Sequence, residues 1–396
     1  MAQVILRIVR AFARFTGRAV VVLLALAVVA TFVPAIPVFG SIGPLLIASF
    51  GPWIAIVAVA LAIWRALVWR RNRLRWTLAV ASLAGLAGLG TAIVFARQAA
   101  HVRAQGVDVD LAATLRLRPV SHQSPPPVLE TYGQDGNSPL QLVVYRPAGP
   151  AKPAPVLVYV HGGGWGGGTI HDRAADWRWF ADRGYLVLSL GYTLSSELRP
   201  TWDVAEPQLG CALAWINAHA DRLGGDLSRL ALIGESAGGN LVLNLSSRMA
   251  SGQLTPACPG SLPKIAAVIA PYPVIDAARM YANTDLVAGP FARIMTKNYT
   301  GGTLAQYPQR YAAISSGTHI TKAAPPTLLL PGLADHLLPA QVANDYAARA
   351  KAAGAKVELI GFPYGEHSFD QSEGSLGSQL FRQVTLRFLG QNGVGL

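Results

Sequence analysis

The first hundred residues contain no lysine, no aspartate and no glutamate, and ten arginines are their only formally charged side chains. Residues 19–64 carry no charge of either sign, an uninterrupted run of 46. One membrane crossing takes about 20 apolar residues, so this run is too long for one span and sufficient for two. Cysteine is nearly absent as well, with two in 396 residues, which excludes a disulfide framework. Cys211 falls in an apolar helical pattern and reads as core. Cys258 falls in a Pro- and Gly-rich loop, and pairing the two would require an oxidising compartment. Charged residues make up only 14% of the chain against 52% apolar, a lopsided ratio for a soluble protein. The first hundred residues hold +10 of the net charge of +12, and they hold it beside apolar runs. A nucleic-acid partner is therefore a poor explanation of the basic pI. No His/Cys/Asp cluster has metal-ligand spacing, so no metal or cofactor is expected.

The apolar runs predict three transmembrane helices at about 19–39, 42–64 and 76–96. The first break is expected near Pro37, Gly40, Gly43 and Pro44. In the third run Ala84, Gly85, Gly88 and Gly90 allow close helix contact. Arg7, Arg10, Arg14 and Arg18 precede the first span. Arg65, Arg70, Arg71, Arg73 and Arg75 separate the second from the third. The positive-inside rule holds both groups in the cytoplasm, so three crossings carry the rest of the chain to the other side. A cleaved signal peptide over 1–35 is the alternative, but no convincing small-x-small site precedes the second span. Residues 1–100 are thus expected to be an integral cell-membrane anchor, 101–127 a tether, and 128–396 an extracytoplasmic domain.

Beyond the tether, short β-type runs alternate with helical patterns, which predicts an α/β sheet of eight mostly parallel strands. The candidates are 128–132, 140–145, 156–160, 186–190, 230–233, 265–270, 327–330 and 357–360. The first two lack an intervening helix and read as an antiparallel hairpin around Asp135, Gly136 and Asn137. Residues 276–324 form a long aromatic-bearing insertion, and connections of that length are uncommon unless functional. It is expected to be a cap.

After the fifth strand comes Gly234-Glu235-Ser236-Ala237-Gly238-Gly239, followed by a helical run. A serine on a strand–turn–helix corner, with glycine two residues either side, has its hydroxyl exposed at the sheet's end. After the third strand comes His161-Gly162-Gly163-Gly164-Trp165-Gly166-Gly167-Gly168. Six glycines in eight residues allow main-chain N–H groups to approach a reacting carbonyl. The Lys-Ser/Thr ending of a phosphate-binding loop is missing. His161 reads as a brace for this loop rather than a reactant. The seventh and eighth strands run into loops carrying Asp335 and His367. A serine needs a base, and an imidazole needs a carboxylate to hold its tautomer. Ser236, Asp335 and His367 supply those parts in that chain order. Asp276, after the sixth strand, is a rival acid.

With H-G-G-G-W at 161–165, G-E-S-A-G-G at 234–239, A-D-H-L-L-P around Asp335 and G-E-H-S-F around His367, the chain from about 125 to 390 resembles the α/β-hydrolase superfamily. The resemblance is to its hormone-sensitive-lipase-like esterase branch. It implies nucleophile Ser236, base His367, acid Asp335, and an oxyanion hole from the N–H groups of Gly163, Gly164 and Ala237. Thr193 stands where that branch usually carries arginine. The expected activity is carboxylic-ester hydrolysis of a small-molecule or lipid substrate through an acyl-enzyme. The alternatives are acyl transfer or deacylation of a membrane lipid or cell-envelope polymer, and a non-catalytic binding module.

Overall fold

The computed structural model describes residues 19–116, 122–149 and 153–396. Contacts divide the chain into two compact units, Met1–Arg118 with Phe362–Leu380, and Pro119–Gly361 with Phe381–Leu396. Residues 1–18, and the four arginines the orientation argument drew from them, lie outside the described residues.

Among the described residues, the first unit contains three long or apolar helices, α1 (Ala19–Phe32), α2 (Phe39–Asn72) and α3 (Arg75–Ala104). Helices α2 and α3 are long and apolar enough to cross a membrane, with mean hydropathy 2.3 and 2.1 over their most apolar windows. The described part of α1 is shorter. The break between the first two runs falls earlier than expected, at residues 33–38. Pro44 and Pro52 lie inside α2 rather than before it, each removing one N–H from the helix ladder. Helix α2 also runs on through Arg70 and Arg71. It stops where Arg73 turns left-handed (φ 53°) and Asn72 accepts the N–H of Leu74. The glycines of α3 do what their spacing predicts. A Cβ on Gly88 would lie 2.9 Å from Val59 Cγ2, and one on Gly90 would lie 2.5 Å from Val28 Cγ1. Two short parts of the expected tether are helical. Helix α3 continues to Ala104 and ends at Gly106 (φ 75°), and α4 (Leu111–Thr114) is capped by Asp110, which accepts from Ala113 N at 3.0 Å.

The second unit is built on eight strands, β1 (Val128–Asp135), β2 (Ser138–Tyr145), β3 (Ala154–Val160), β4 (Leu186–Leu190), β5 (Gly225–Gly234), β6 (Ala267–Pro271), β7 (Thr327–Leu330) and β8 (Val357–Leu359). Their order across the sheet is β1-β2-β4-β3-β5-β6-β7-β8. The β1–β2 hairpin and the β2–β4 pair are antiparallel, and every other pairing is parallel. Each predicted strand is present. Strand β5 begins five residues earlier than its apolar run, because Gly225 and Asp226 pair with Ala154 and Pro155 of β3.

Strand residues alternate between two buried faces. Val156, Val158 and Val160 point to the side where α6 (Ala205–Leu223) and α7 (Ala237–Ala250) bring Leu209, Leu213 and Leu241. On the other face Tyr159 meets Trp177 of α5 (Ala174–Ala181) at 4.1 Å between ring centres. Trp177 in turn meets Phe381 of α12 (Leu376–Gln391), the helix after α11 (Ala340–Ala352), at 6.4 Å. The central strands are thus covered on both sides, as parallel strands require.

Cys211 and Cys258 are bonded to each other, with Cα atoms 5.5 Å apart. The reading of Cys211 as simple core is corrected: it is buried and also cross-linked. Gly210 makes this possible, because Pro256 packs where a Cβ would stand and brings the Cys258 loop onto α6. The bond closes a loop of 47 residues, for which chain entropy gives about 4 kcal/mol. Replacing both cysteines by serine is expected to lower the unfolding free energy by about 2–4 kcal/mol. Equal denaturation midpoints for the two proteins would refute this.

Candidate active site

Ser236 occupies the corner between β5 and α7 with φ 53° and ψ −118°, a left-handed conformation that a non-glycine residue rarely adopts. Such strain persists only where the surroundings over-determine the backbone. Here they do. Ser236 N donates to Pro271 O (3.1 Å), and Ser236 O accepts from Val274 N (3.1 Å) and Asn240 N (3.0 Å). A Cβ on Gly238 would collide with the carbonyl oxygens of Val160 and His161, and one on Gly234 with the carbonyl of Gly238. Only glycine fits either place. Asn240, fully buried on α7, donates to Val274 O and Ile314 O, tying the first turn of the helix to the loops beside it.

The glycine loop lies against this corner. A Cβ on Gly162 would stand 3.3 Å from Ser236 Cβ and 3.0 Å from Glu235 O. Gly163 (φ 100°) and Gly164 (φ 60°) follow, both in the left-handed region, and Gly163 turns back on Gly167. Ala237, the third expected amide donor, is the first residue of α7 and is fully buried. The N-terminal amides of α7 add the positive end of its helix dipole beside the serine.

His161 is a brace. Its Nδ1 donates to Gly162 O at 2.8 Å, its ring stacks on Tyr192 at 4.5 Å, and Tyr192 Oη donates to His161 O at 3.1 Å. Burial pushes its pKa below the ordinary histidine value, so it stays neutral. Trp165 stacks on Tyr299 of α9 (Ala288–Thr300) at 4.4 Å and accepts the N–H of Ser195, which fixes the far end of the loop.

A further part has no signal in the motif. Glu235, beside the serine, is buried and accepts from Tyr159 Oη (3.0 Å), Tyr272 Oη (3.1 Å) and Arg173 Nη1 (2.7 Å). Arg173 Nε also donates to Asp176 Oδ2 (2.8 Å), and Arg382 Nε donates to Asp176 Oδ1 (2.6 Å). The guanidinium of Arg173 lies 4.1 Å over the ring of Phe381. Four charged side chains thus form a nearly dry chain from the serine corner to α12. Burial, then the Glu235 charge, raises the Tyr159 phenol well above its usual pKa and keeps it a donor.

Thr193 shows how the segment manages without the usual arginine. Its Oγ1 donates to Asp135 Oδ2 (2.5 Å), its N–H to Gln208 Oε1 (2.9 Å), and it accepts from Gln208 Nε2 (2.9 Å). Arg199 Nη2 donates to the same Asp135 oxygen at 2.6 Å.

Asp335 follows β7 and is buried; its Oδ1 accepts from Leu337 N (2.9 Å) and Leu338 N (2.7 Å). Ser236 and Asp335 therefore leave the carboxyl ends of β5 and β7, two positions apart in the sheet. The rival Asp276 lies five residues past β6 and caps α8 (Ala277–Tyr281), accepting from Arg279 N at 2.9 Å. His367 is half-buried, eight residues past β8, and belongs to the first unit. His219 donates to Trp215 O, and His319 to Ala313 O.

A mostly parallel eight-stranded sheet, with a strained serine corner at the carboxyl end of a central strand, defines the α/β-hydrolase class. Residues 142–349 match the BD-FAE family model, and the chain belongs to that family, within the hormone-sensitive-lipase-like α/β-hydrolases. It is 29% identical over 262 residues to the protein named esterase LipC of Mycobacterium tuberculosis, covering 65% of this chain and 63% of that one. It is 29% identical to an ethyl acetate hydrolase of Pseudomonas putida, covering 60% and 73%. Among solved structures, esterase LipW of Mycobacterium marinum matches with TM-score 0.53 at 26% identity, over 75% of this chain and 86% of that one. The butyrate-bound esterase of Thermogutta terrifontis matches with TM-score 0.56 at 25% identity, over 68% and 95%. The chain spans only 63%, 50% and 44% of three of the Mycobacterium tuberculosis relatives it matches.

Proposed function

We propose that the protein is a membrane-anchored serine carboxylesterase working through an acyl-enzyme. The observation that carries the reading is a serine held in a strained left-handed turn against a loop of bare glycine amides. In this reading Ser236 Oγ attacks the ester carbonyl carbon while His367 takes its proton. The resulting oxyanion faces the N–H groups of Gly163, Gly164 and Ala237. As the carbonyl re-forms, the C–O bond to the alcohol breaks and His367 returns the proton to the leaving oxygen. Water then repeats the sequence on the acyl-serine. Asp335 holds the imidazole in the right tautomer and balances its charge. Several relatives carry the names esterase, carboxylesterase or ester hydrolase, which supports the substrate class. Helices α8, α9 and α10 (Pro308–Ile314), within 276–324, are proposed as the cap.

The experiment is a series of p-nitrophenyl esters, from two to sixteen carbons, on the full chain in detergent, with fluorophosphonate labelling of the folded protein. Turnover with labelling at Ser236 is expected; folded protein that neither turns over nor labels would sink the reading. Gly163→Ala is expected to lower kcat by about 100- to 1,000-fold with little change in KM, because the added Cβ re-aims the amide donors. An unchanged kcat would remove this loop from the oxyanion hole. The apolar helices favour a second reading in which a membrane lipid supplies or accepts the acyl group. The ratio of transfer to hydrolysis with added alcohol separates the two.

The same proposal places the second unit outside the cytoplasm. The arginine distribution supports it, and so does the Cys211–Cys258 bond, which persists in oxidising compartments. A reporter fused after Leu396 is expected to be active only on the extracytoplasmic side.

A further inference from the structure

We propose that the outer end of helix α3 is the seat of the loop that carries His367, and that Arg97, Gln98 and Tyr364 are positioning residues for the reaction. The proposal rests on the reading of His367 as the general base. The segment Phe362–Leu380, a loop that runs into the first turns of α12, groups with Met1–Arg118 and not with the strand that leads into it. Its entry is held by two consecutive residues of α3. Gln98 is 2% exposed, and its Nε2 donates to Pro363 O at 3.0 Å. Arg97 Nη1 donates to Tyr364 Oη at 2.5 Å. The Tyr364 ring sits edge-on to Phe32 at 5.8 Å and packs on the cluster formed by Val28, Ile47 and Val94.

The loop's exit is held as firmly. Gln379 Oε1 accepts from Asp110 N (2.7 Å), and its Nε2 donates to Asp110 O (2.9 Å) and to Gly374 O (2.9 Å). A Cβ on Gly374 would collide with Ala113 O, so the chain lies directly on the residues that follow α3. The entry flank of His367 is therefore fastened to α3 itself, and the exit flank to the residues that follow it.

Position matters here for a physical reason. Tyr364 (φ 55°) and Ser368 (φ 62°) hold left-handed conformations on either side of His367, which a free loop would relax. A base displaced by about 1 Å can cost about a hundredfold in rate. A buried amide such as that of Gln98 also has few alternative partners, so it fixes one geometry rather than a range. On this account the anchor's last turns take part in catalysis by holding the base, rather than acting only as an attachment.

The test uses the full chain in detergent, assayed with p-nitrophenyl butyrate. Gln98→Ala and Arg97→Ala are each expected to lower kcat by about ten- to a hundredfold, with KM within about twofold, and to shift the acid limb of the kcat–pH profile. Arg97→Lys should restore most of the loss. Arg97→Ala combined with Tyr364→Phe should cost no more than either alone, since both remove one bond. If Gln98→Ala does not fold, Tyr364→Phe, which deletes a single oxygen, carries the test. His367→Asn is run beside them. Turnover by His367→Asn within about tenfold of the parent would end the base assignment, and this proposal with it. An inactive His367→Asn beside Arg97 and Gln98 variants with parental kcat and pH profile would overturn the seat alone.

Discussion

Ser236→Ala is expected to lower kcat for p-nitrophenyl butyrate by about four to six powers of ten. Alanine removes the attacking oxygen and leaves the corner otherwise intact. The helix α7 amides, the glycine loop and the Glu235 clamp do not depend on the hydroxyl. Substrate binding should therefore survive, with KM changed far less than kcat. The remaining rate over water would come from the amide donors and from binding. Circular dichroism should match the parent, and labelling by a fluorophosphonate should vanish. Turnover within about tenfold of the parent would remove Ser236 from the chemistry.

The second large effect is on stability. Arg173→Met keeps most of the side-chain volume but leaves Glu235 without its guanidinium partner in a dry interior. The Arg173 and Glu235 side chains are each 4% exposed, so solvent cannot compensate. Breaking a buried pair in this way costs about 3–5 kcal/mol, chiefly the desolvation of the stranded carboxylate. Asp176 keeps Arg382 and is affected less. Adding Glu235→Gln should recover part of the loss, since the uncompensated charge is then gone. An Arg173→Met protein with the parental denaturation midpoint would show that the clamp contributes nothing.

The strands were legible because each is a short β-prone run between turn residues. The hairpin was legible because Gly136 supplies the positive φ that its turn needs. The serine corner was legible because its glycines are demanded by local collisions within a few residues of sequence. Arg173 was not, since it meets Glu235 from 62 positions away, through a fold that both must join first. The Cys211–Cys258 bond was hidden for a similar reason. An apolar helix and a loop look the same in sequence whether or not a distant proline brings them together. Thr193 read as a departure from a pattern, yet Asp135, Gln208 and Arg199 rebuild the anchoring by other bonds.

Local chemistry therefore determined what each stretch is: apolar helices at the front, a two-faced sheet behind, a serine turn and a glycine loop. Periodicity, turn residues and steric limits act over a few positions, and a single sequence states them directly. The tertiary structure alone decided which distant charges share a dry interior, which cysteines meet, and that the segment Phe362–Leu380 belongs with the apolar helices. Those outcomes depend on which surfaces pack together once the whole chain has folded, and no short stretch of residues carries that information.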